Sequence, residues 1–292
     1  MELTDRVRES CRRIAASARW VRIDRERLLA LEAEDVDPPA LDPERHYLEG
    51  PNEDVAAYLL TLGAVNFGSG WFPTLRKRSG CSGYFTVSWA LAERWRELGP
   101  WSNAELRALD APAVAAVLGQ DPAHELMALH ARALGNLGAW LGERSALQAL
   151  SEARGSAERL AEMLAAGMPF FADTGFWKRA QIVPNDLALA GAATFHDLDR
   201  LTIFADNLVP HVLRVDGVLR YRPELAARID AGELLAPGEQ EREIRACAVH
   251  ACELLSARTG VPARVLDTWL WNRGQAREYK ALPRHRTRTV YY

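Results

Sequence analysis

Phe176-Trp177-Lys178-Arg179-Ala180-Gln181-Ile182 begins a helical pattern that runs to about residue 190, and Leu201-Thr202-Ile203-Phe204-Ala205-Asp206 follows it. The first segment sets a Lys early in a helix. The second carries an Asp at the end of an apolar run. Of 36 basic residues only Lys77, Lys178 and Lys280 are lysines. A chain that otherwise writes Arg keeps here a compact ammonium, whose pKa moves readily on burial. Leu201, Ile203, Phe204 and Ala205 lead into Asp206, and a carboxylate drawn inward must be paired, hydrogen-bonded or chemically used. Taken alone, Lys178 and Asp206 read first as a buried ion pair; catalysis needs support from the rest of the chain.

Outward from these segments the periodicity stays helical. Patterns cover 4–18, a helix capped by Asn52, then about 86–98, 122–141, 156–166, 177–190 (kinked or split at Pro184), 222–230, 237–258 and 262–275. Gly99-Pro100, Gly167-Met168-Pro169 and Ala236-Pro237-Gly238 punctuate them. Strand candidates are Tyr84–Val87 and Arg286–Tyr291, and Asp35 through Pro43 is expected as a loop. The fold class expected is mainly α, a single large helical domain over 1–292 with at most a few short strands, divisible into two packed lobes.

Composition is that of a globular protein, 48% hydrophobic and 26% charged. A net charge of −3 argues against a general nucleic-acid binder. No apolar run approaches bilayer length, and residues 1–6 lack a signal-peptide pattern, so no membrane partner is expected. Cys11, Cys81, Cys247 and Cys252 form no C-x-x-C pair or zinc spacing, which suits a reduced, cytoplasmic setting. His124-Glu125 with His130 departs from H-E-x-x-H and reads as helix surface. Neither a metal nor a cofactor is expected.

Five further places offer chemistry. On a helix Asp267 and Trp271 share a face with Thr268 and Asn272 beside them. An acid next to an indole suits a flat, partly cationic ligand; a core Trp beside a solvated Asp fits equally. Asp197, nine residues before Asp206, either lines the same cavity as Lys178 and Asp206 or caps the 198–205 segment. Arg284, Arg286 and Arg288 would line one face of an extended tail and hold a phosphate, or stay solvated. Ala64 to Pro73, with its glycines and aromatics, either covers a planar ligand or ends a helix in a surface turn. Glu241 and Arg245 read as a helical salt bridge.

Phe176 through Ile182, Asp186, Phe195-x-Asp197, Thr202-x-Phe204-Ala205-Asp206 with Pro210, Asn66-Phe67, Ser82-Gly83-Tyr84, Glu243-Ile244-Arg245, Asp267 with Leu270-Trp271, and His285-Arg286 before Tyr291-Tyr292 together resemble the queuosine-salvage glycosidase family. The resemblance runs from about residue 46 to the final Tyr. It implies an all-helical fold related to helix-hairpin-helix DNA glycosylases. It also implies hydrolysis of a small-molecule substrate, queuosine 5′-monophosphate, to queuine and ribose 5-phosphate. The chain departs from the family at Asn207-Leu208-Val209-Pro210-His211 and at Asn272, which touches peripheral contacts.

The resemblance makes Asp206 the catalytic carboxylate. Queuine is a 7-deazapurine, with no ring nitrogen at the position usually protonated. Charge on the ribose must therefore be stabilised as the glycosidic bond stretches; nucleophilic attack and water activation by Asp206 are variants. Lys178 would hold Asp206 ionised and oriented. Phe204 and Trp271 would sandwich the base, Asp267, Thr268, Asn272 and His46 would meet its cyclopentene arm, and Arg286 or Arg288 would take the phosphate. Two other readings stand beside this one: a base-excision DNA glycosylase, and a non-catalytic queuine or nucleoside carrier.

Overall fold

In a computed structural model the protein is described over residues 1–33 and 36–292. Helix α1 (Leu3–Ser17) leads into strand β1 (Val21–Ile23) and the short α2 (Arg25–Leu29). Then come α3 (Asn52–Val65), α4 (Gly83–Leu98), α5 (Asn103–Ala108), α6 (Ala111–Leu118) and α7 (Glu125–Leu141). Next are α8 (Ala146–Ser151), α9 (Ala157–Gly167), α10 (Lys178–Leu189) and α11 (Val209–Val215). Strand β2 (Leu219–Tyr221), α12 (Pro223–Asp230), α13 (Glu239–Thr259), α14 (Ala263–Arg273) and α15 (Arg277–Lys280) complete the fold. Among the described residues the only sheet is the antiparallel pair β1–β2, with Arg22 opposite Arg220. The architecture is mainly α.

Local chemistry sets these boundaries. Ser102 with Glu105 and Ser145 with Gln148 form reciprocal capping boxes at α5 and α8. Pro112, Pro210 and Pro223 sit in first turns, where a missing N–H costs nothing. Gly260, at φ +75°, closes α13 in a conformation that penalises other residues.

Helix α3 is the centre. Ten of its fourteen residues, including Leu59, Leu60 and Leu62, are buried, as in a helix enclosed on all sides. Each such leucine stabilises the fold by about 1.5–3 kcal/mol relative to exposure. Helices α7 and α10 pack on α3, α9 on α10, and α13 lies along α1 while also contacting α11 and α14. A Cβ on Gly63 would stand 2.4 Å from Val183 Cγ2, so glycine there lets α10 approach α3 closely. That approach holds the segment carrying Lys178.

Several expectations change. Tyr84–Val87 is the first turn of α4, because the Phe85 N–H donates to Ser82 Oγ at 3.2 Å and starts a helix. Arg286–Tyr291 is no strand: its one bridge joins Arg286 to Leu234, while the Val290 and Tyr292 carbonyls accept from Arg179 (2.6 Å) and the Gly68 N–H (3.0 Å). The 178–189 helix continues through Pro184. Asn52 begins α3 but its side chain donates to the Ala192 carbonyl at 3.2 Å, so it is not a cap. His130 is fully buried against Phe67, not surface. Residues 36–42 are neither helix nor strand; Asp35, first residue of the expected loop, lies outside the described residues.

Candidate active site

A cavity of about 580 Å³ opens where the end of α3, the start of α4, α10, α14, the turn before α11 and the chain's last segment converge. Its size is that of a small-molecule site. Lys77, Lys178 and Lys280 all line it, so the three lysines of an arginine-rich chain meet at one cavity.

Lys178 is the first residue of α10 and 5% exposed. Before it Trp177 adopts φ +47°, a left-handed conformation that costs roughly 1–3 kcal/mol. The Lys178 N–H donates to Asp173 Oδ2 at 3.4 Å. Burial lowers the ammonium pKa, Asp206 works against that, and the neighbouring Arg179 adds to the lowering. A cation at a helix N-terminus is also on the unfavourable end of the dipole.

Asp206 faces the same cavity, but the two are not a contact pair: Lys178 has no carboxylate within ion-pairing distance among the described residues. The expected buried ion pair becomes a longer-range interaction across the cavity. Asp206 is oriented instead by backbone: its Oδ1 accepts the N–H groups of Leu208 (2.6 Å) and Val209 (3.3 Å) at the start of α11. Among the described residues its Oδ2 takes no hydrogen bond from the protein. Arg284, whose pKa burial lowers and Asp206 raises, lines the cavity nearby.

A buried ion network joins the two segments. Arg245 of α13 donates to Asp173, to Glu241 Oε1 (3.2 Å) and, through Nε, to the Ala205 carbonyl (2.8 Å). Burial works against its charge, and the two carboxylates more than offset this. One guanidinium thus ties the residue that orients Lys178 to the residue preceding Asp206. The Glu241–Arg245 bridge read from spacing exists, with this wider reach.

Aromatics and further acids line the same cavity. Asp267 Oδ1 accepts the Phe204 N–H at 2.7 Å, which holds the Phe204 segment against α14. Burial, then Asp206, pushes its carboxyl up to about 7. Phe204, Thr268, Trp271 and the exposed Asn272 line the same wall. The Trp271 ring meets Phe85 edge-on at 5.5 Å and Tyr84 at 6.2 Å. His46 is buried, and its Nδ1 and Nε2 lie 2.8 Å from the Asp42 carbonyl and 2.9 Å from Tyr84 Oη. Asn66, Phe67, Ser69, Phe72 and Pro73 form a further wall.

Two candidates stand elsewhere. Asp197 caps α9, accepting from Ser156 Oγ (2.6 Å) and the Ala157 N–H (2.6 Å), because the loop before residue 198 returns to that helix start. It is a cap, though not of its own following segment. Arg288 is exposed, 3.3 Å from Glu125 Oε2 and 5.8 Å from the Trp71 ring centroid. Because the tail is not a regular strand, Arg284 and Arg286 line the cavity while Arg288 turns away.

Asp186, Asn185 and Tyr84 line the cavity without having been singled out as site residues, and Arg284, one of the tail arginines considered for a phosphate, lines it with them. Asp186 carried a signal: it lies two helical turns beyond Lys178, on the same face. Burial pushes its carboxyl up to about 7. Among the described residues no group of three or more His, Cys, Asp or Glu is gathered as for a metal. No helix among them is long and apolar enough to cross a membrane.

Comparison with known proteins adds a family. The family model described as queuosine salvage protein matches residues 46–292. A protein of Sphaerobacter thermophilus named queuosine 5′-phosphate N-glycosylase/hydrolase is 33% identical, over 96% of this chain and 96% of its own. Proteins of the same name from Mus musculus (31% identical, 51% of this chain and 52% of theirs) and Dictyostelium discoideum (39%, 40% of each) are also similar.

Proposed function

The chain belongs to the queuosine salvage family, and from that premise we propose that it hydrolyses the N-glycosidic bond of queuosine 5′-monophosphate, releasing queuine and ribose 5-phosphate. The observation that carries the reading is Asp206, fixed at Oδ1 by two backbone N–H groups, with no hydrogen bond at Oδ2 among the described residues, and lining a cavity that also holds Lys178, Arg284, Phe204, Trp271, Asp186 and Asp267.

As the bond from C1′ to the base stretches, positive charge develops on the ribose. Asp206 Oδ2 is a preorganised anion for that charge, already oriented before the reaction begins. Water then forms the new bond at C1′ as the bond to the base breaks; one of its protons stays on the new anomeric hydroxyl and the other passes to the departing base. The 7-deazapurine offers no ring nitrogen at the usual protonation site, which puts the weight of catalysis on the sugar. Lys178 supports Asp206 across the cavity as an opposing charge. Phe204 and Trp271, whose rings make no contact with each other among the described residues, are suited to flank the base. Arg284 and Arg286 are the cations for the 5′-phosphate, a role that fits guanidinium geometry. Four free cysteines fit a cytoplasmic, reducing setting for the enzyme.

The test is release of free queuine, followed by mass spectrometry, from queuosine 5′-monophosphate and from the unphosphorylated nucleoside. Wild type releases queuine from the monophosphate. Asp206→Ala retains its circular dichroism spectrum and loses about 10²–10³ in rate or more. Near-normal turnover in that variant would remove Asp206 from the mechanism. Binding without release by wild type would point to a carrier, and salt-sensitive affinity for duplex DNA to a DNA glycosylase.

A further inference from the structure

Residues 202–206 form neither helix nor strand, and among the described residues none of them shares a backbone-to-backbone hydrogen bond. Buried backbone groups need partners, and here side chains from three helices supply them. Gln181 Oε1 of α10 accepts the Thr202 N–H at 2.9 Å, and Asp267 Oδ1 of α14 accepts the Phe204 N–H at 2.7 Å. Arg245 Nε of α13 donates to the Ala205 carbonyl at 2.8 Å. The segment that ends in Asp206 therefore has its course set by distant side chains rather than by a neighbouring strand.

Two of the three reach further. Gln181 Nε2 also donates to the Phe176 carbonyl at 2.9 Å, and the Arg245 guanidinium also binds Asp173 and lies over the Phe176 ring, 3.9 Å from its centroid. Each thus joins the turn that leads into Lys178 to the segment that leads into Asp206, Gln181 at the segment's start and Arg245 at its end. Both are buried, at 0% and 2% exposure, and neither lines the cavity. Stability alone does not call for a guanidinium there, because apolar side chains of similar volume often serve a buried site as well as an ion cluster does. Opposite charges out of water attract strongly, yet Lys178 and Asp206 line one cavity without forming an ion pair. We propose that Gln181 and Arg245 are positioning residues for the reaction: they clamp the two segments so that Asp206 stays oriented, its Oδ2 left free of the Lys178 ammonium. This rests on the hydrolysis proposed above.

Two measurements test it. The first needs no turnover: amide hydrogen exchange at Leu208, whose N–H donates to Asp206 Oδ1. Arg245→Lys keeps the charge and loses the fork. In it Leu208 is expected to exchange at least about tenfold faster than in wild type, relative to buried Leu134 and Leu137 of α7, which track global stability. Gln181→Met, which keeps the volume and loses the hydrogen bonds, is expected to act in the same direction. The second is a double-mutant cycle on queuine release. Each substitution is expected to lower kcat by about tenfold or more with KM changed by less than about threefold, since displacing a reacting group costs rate more than binding. In an Asp206→Ala background the same substitutions are expected to change kcat by less than about twofold, because the residue they position is gone. A purely structural role would lower kcat equally in both backgrounds. Unaltered Leu208 exchange in both variants, or equal kcat losses in both backgrounds, overturns the proposal. Wild type that releases no queuine removes the proposed activity, and Leu208 exchange alone then decides the clamp.

Discussion

Asp186 and Asp267 each hold a carboxyl raised to about 7 from an ordinary 3.8. For both, burial is the first cause. The folded protein keeps these protons over a range in which the unfolded chain releases them. Their contribution to stability is therefore full below about pH 4 and declines as pH rises toward 7. In the empty protein Asp186→Asn is expected to be more stable than wild type at pH 7, the difference in melting temperature shrinking toward pH 4. Thermal unfolding at pH 4 to 8 measures it; a difference that does not change with pH would contradict the assigned shift. At this scale the sequence was partly legible. The scarcity of lysine pointed to Lys178, and the apolar lead-in pointed to Asp206. Tyr84 and Asn185 were silent as site residues, because their meaning comes from neighbours far away in sequence.

At the scale of elements, α10 and the turn before α11 present Lys178 and Asp206, and Arg245 of α13 spans the gap. Asp197 shows how an element can absorb a residue that looked functional. It lies nine residues before Asp206, yet its carboxylate caps α9. Asp197→Ala is expected to cost about 0.5–2 kcal/mol, measured by urea unfolding, with queuine release unchanged below the melting transition. A selective loss of turnover would return Asp197 to the site. Long helices with a strong apolar period, such as α7, α9 and α13, were readable within a few residues. Short ones such as α5, α8 and α11 were not, since one turn and a half gives too few residues for a period to register. At the start of α4, β-prone Tyr84 to Val87 follow a serine cap, and the cap prevailed.

The whole molecule depends on its last residues, which pass under Arg179. That guanidinium is 1% exposed and donates to the carbonyls of Gly63 (2.8 Å), Ala64, Phe170 (2.9 Å) and Val290 (2.6 Å), between the rings of Phe67 and Phe171. Burial lowers its pKa to about 9. It joins the end of α3 to the tail that carries Arg284, Arg286 and Tyr292 to the cavity. Arg179→Met is expected to lose about 1–3 kcal/mol for each carbonyl left without a donor. The tail should then become protease-sensitive and turnover should fall. Arg179→Lys folds more readily and separates the effects: it keeps the charge but reaches fewer carbonyls, so an intermediate loss of both stability and turnover is expected. Denaturant unfolding, limited proteolysis and queuine release report the three quantities, and a tail that stays protected in both variants would deny Arg179 its anchoring role.

The sequence by itself determined the helical class, the family likeness carried by Phe176–Ile182 and Thr202–Asp206, and the emphasis on Lys178 and Asp206. These follow from periodicity, composition and contiguous motifs, all of which are local along the chain. Only the tertiary structure decided that Lys178 and Asp206 face each other across a cavity rather than touching, that Asp197 and Arg288 stand apart from it, and that Asp186 and Tyr84 belong to it. Those facts depend on the close approach of α10 to α3 and on a tail tied to buried carbonyls. Contacts between residues a hundred or more positions apart leave no period or spacing in the sequence to read.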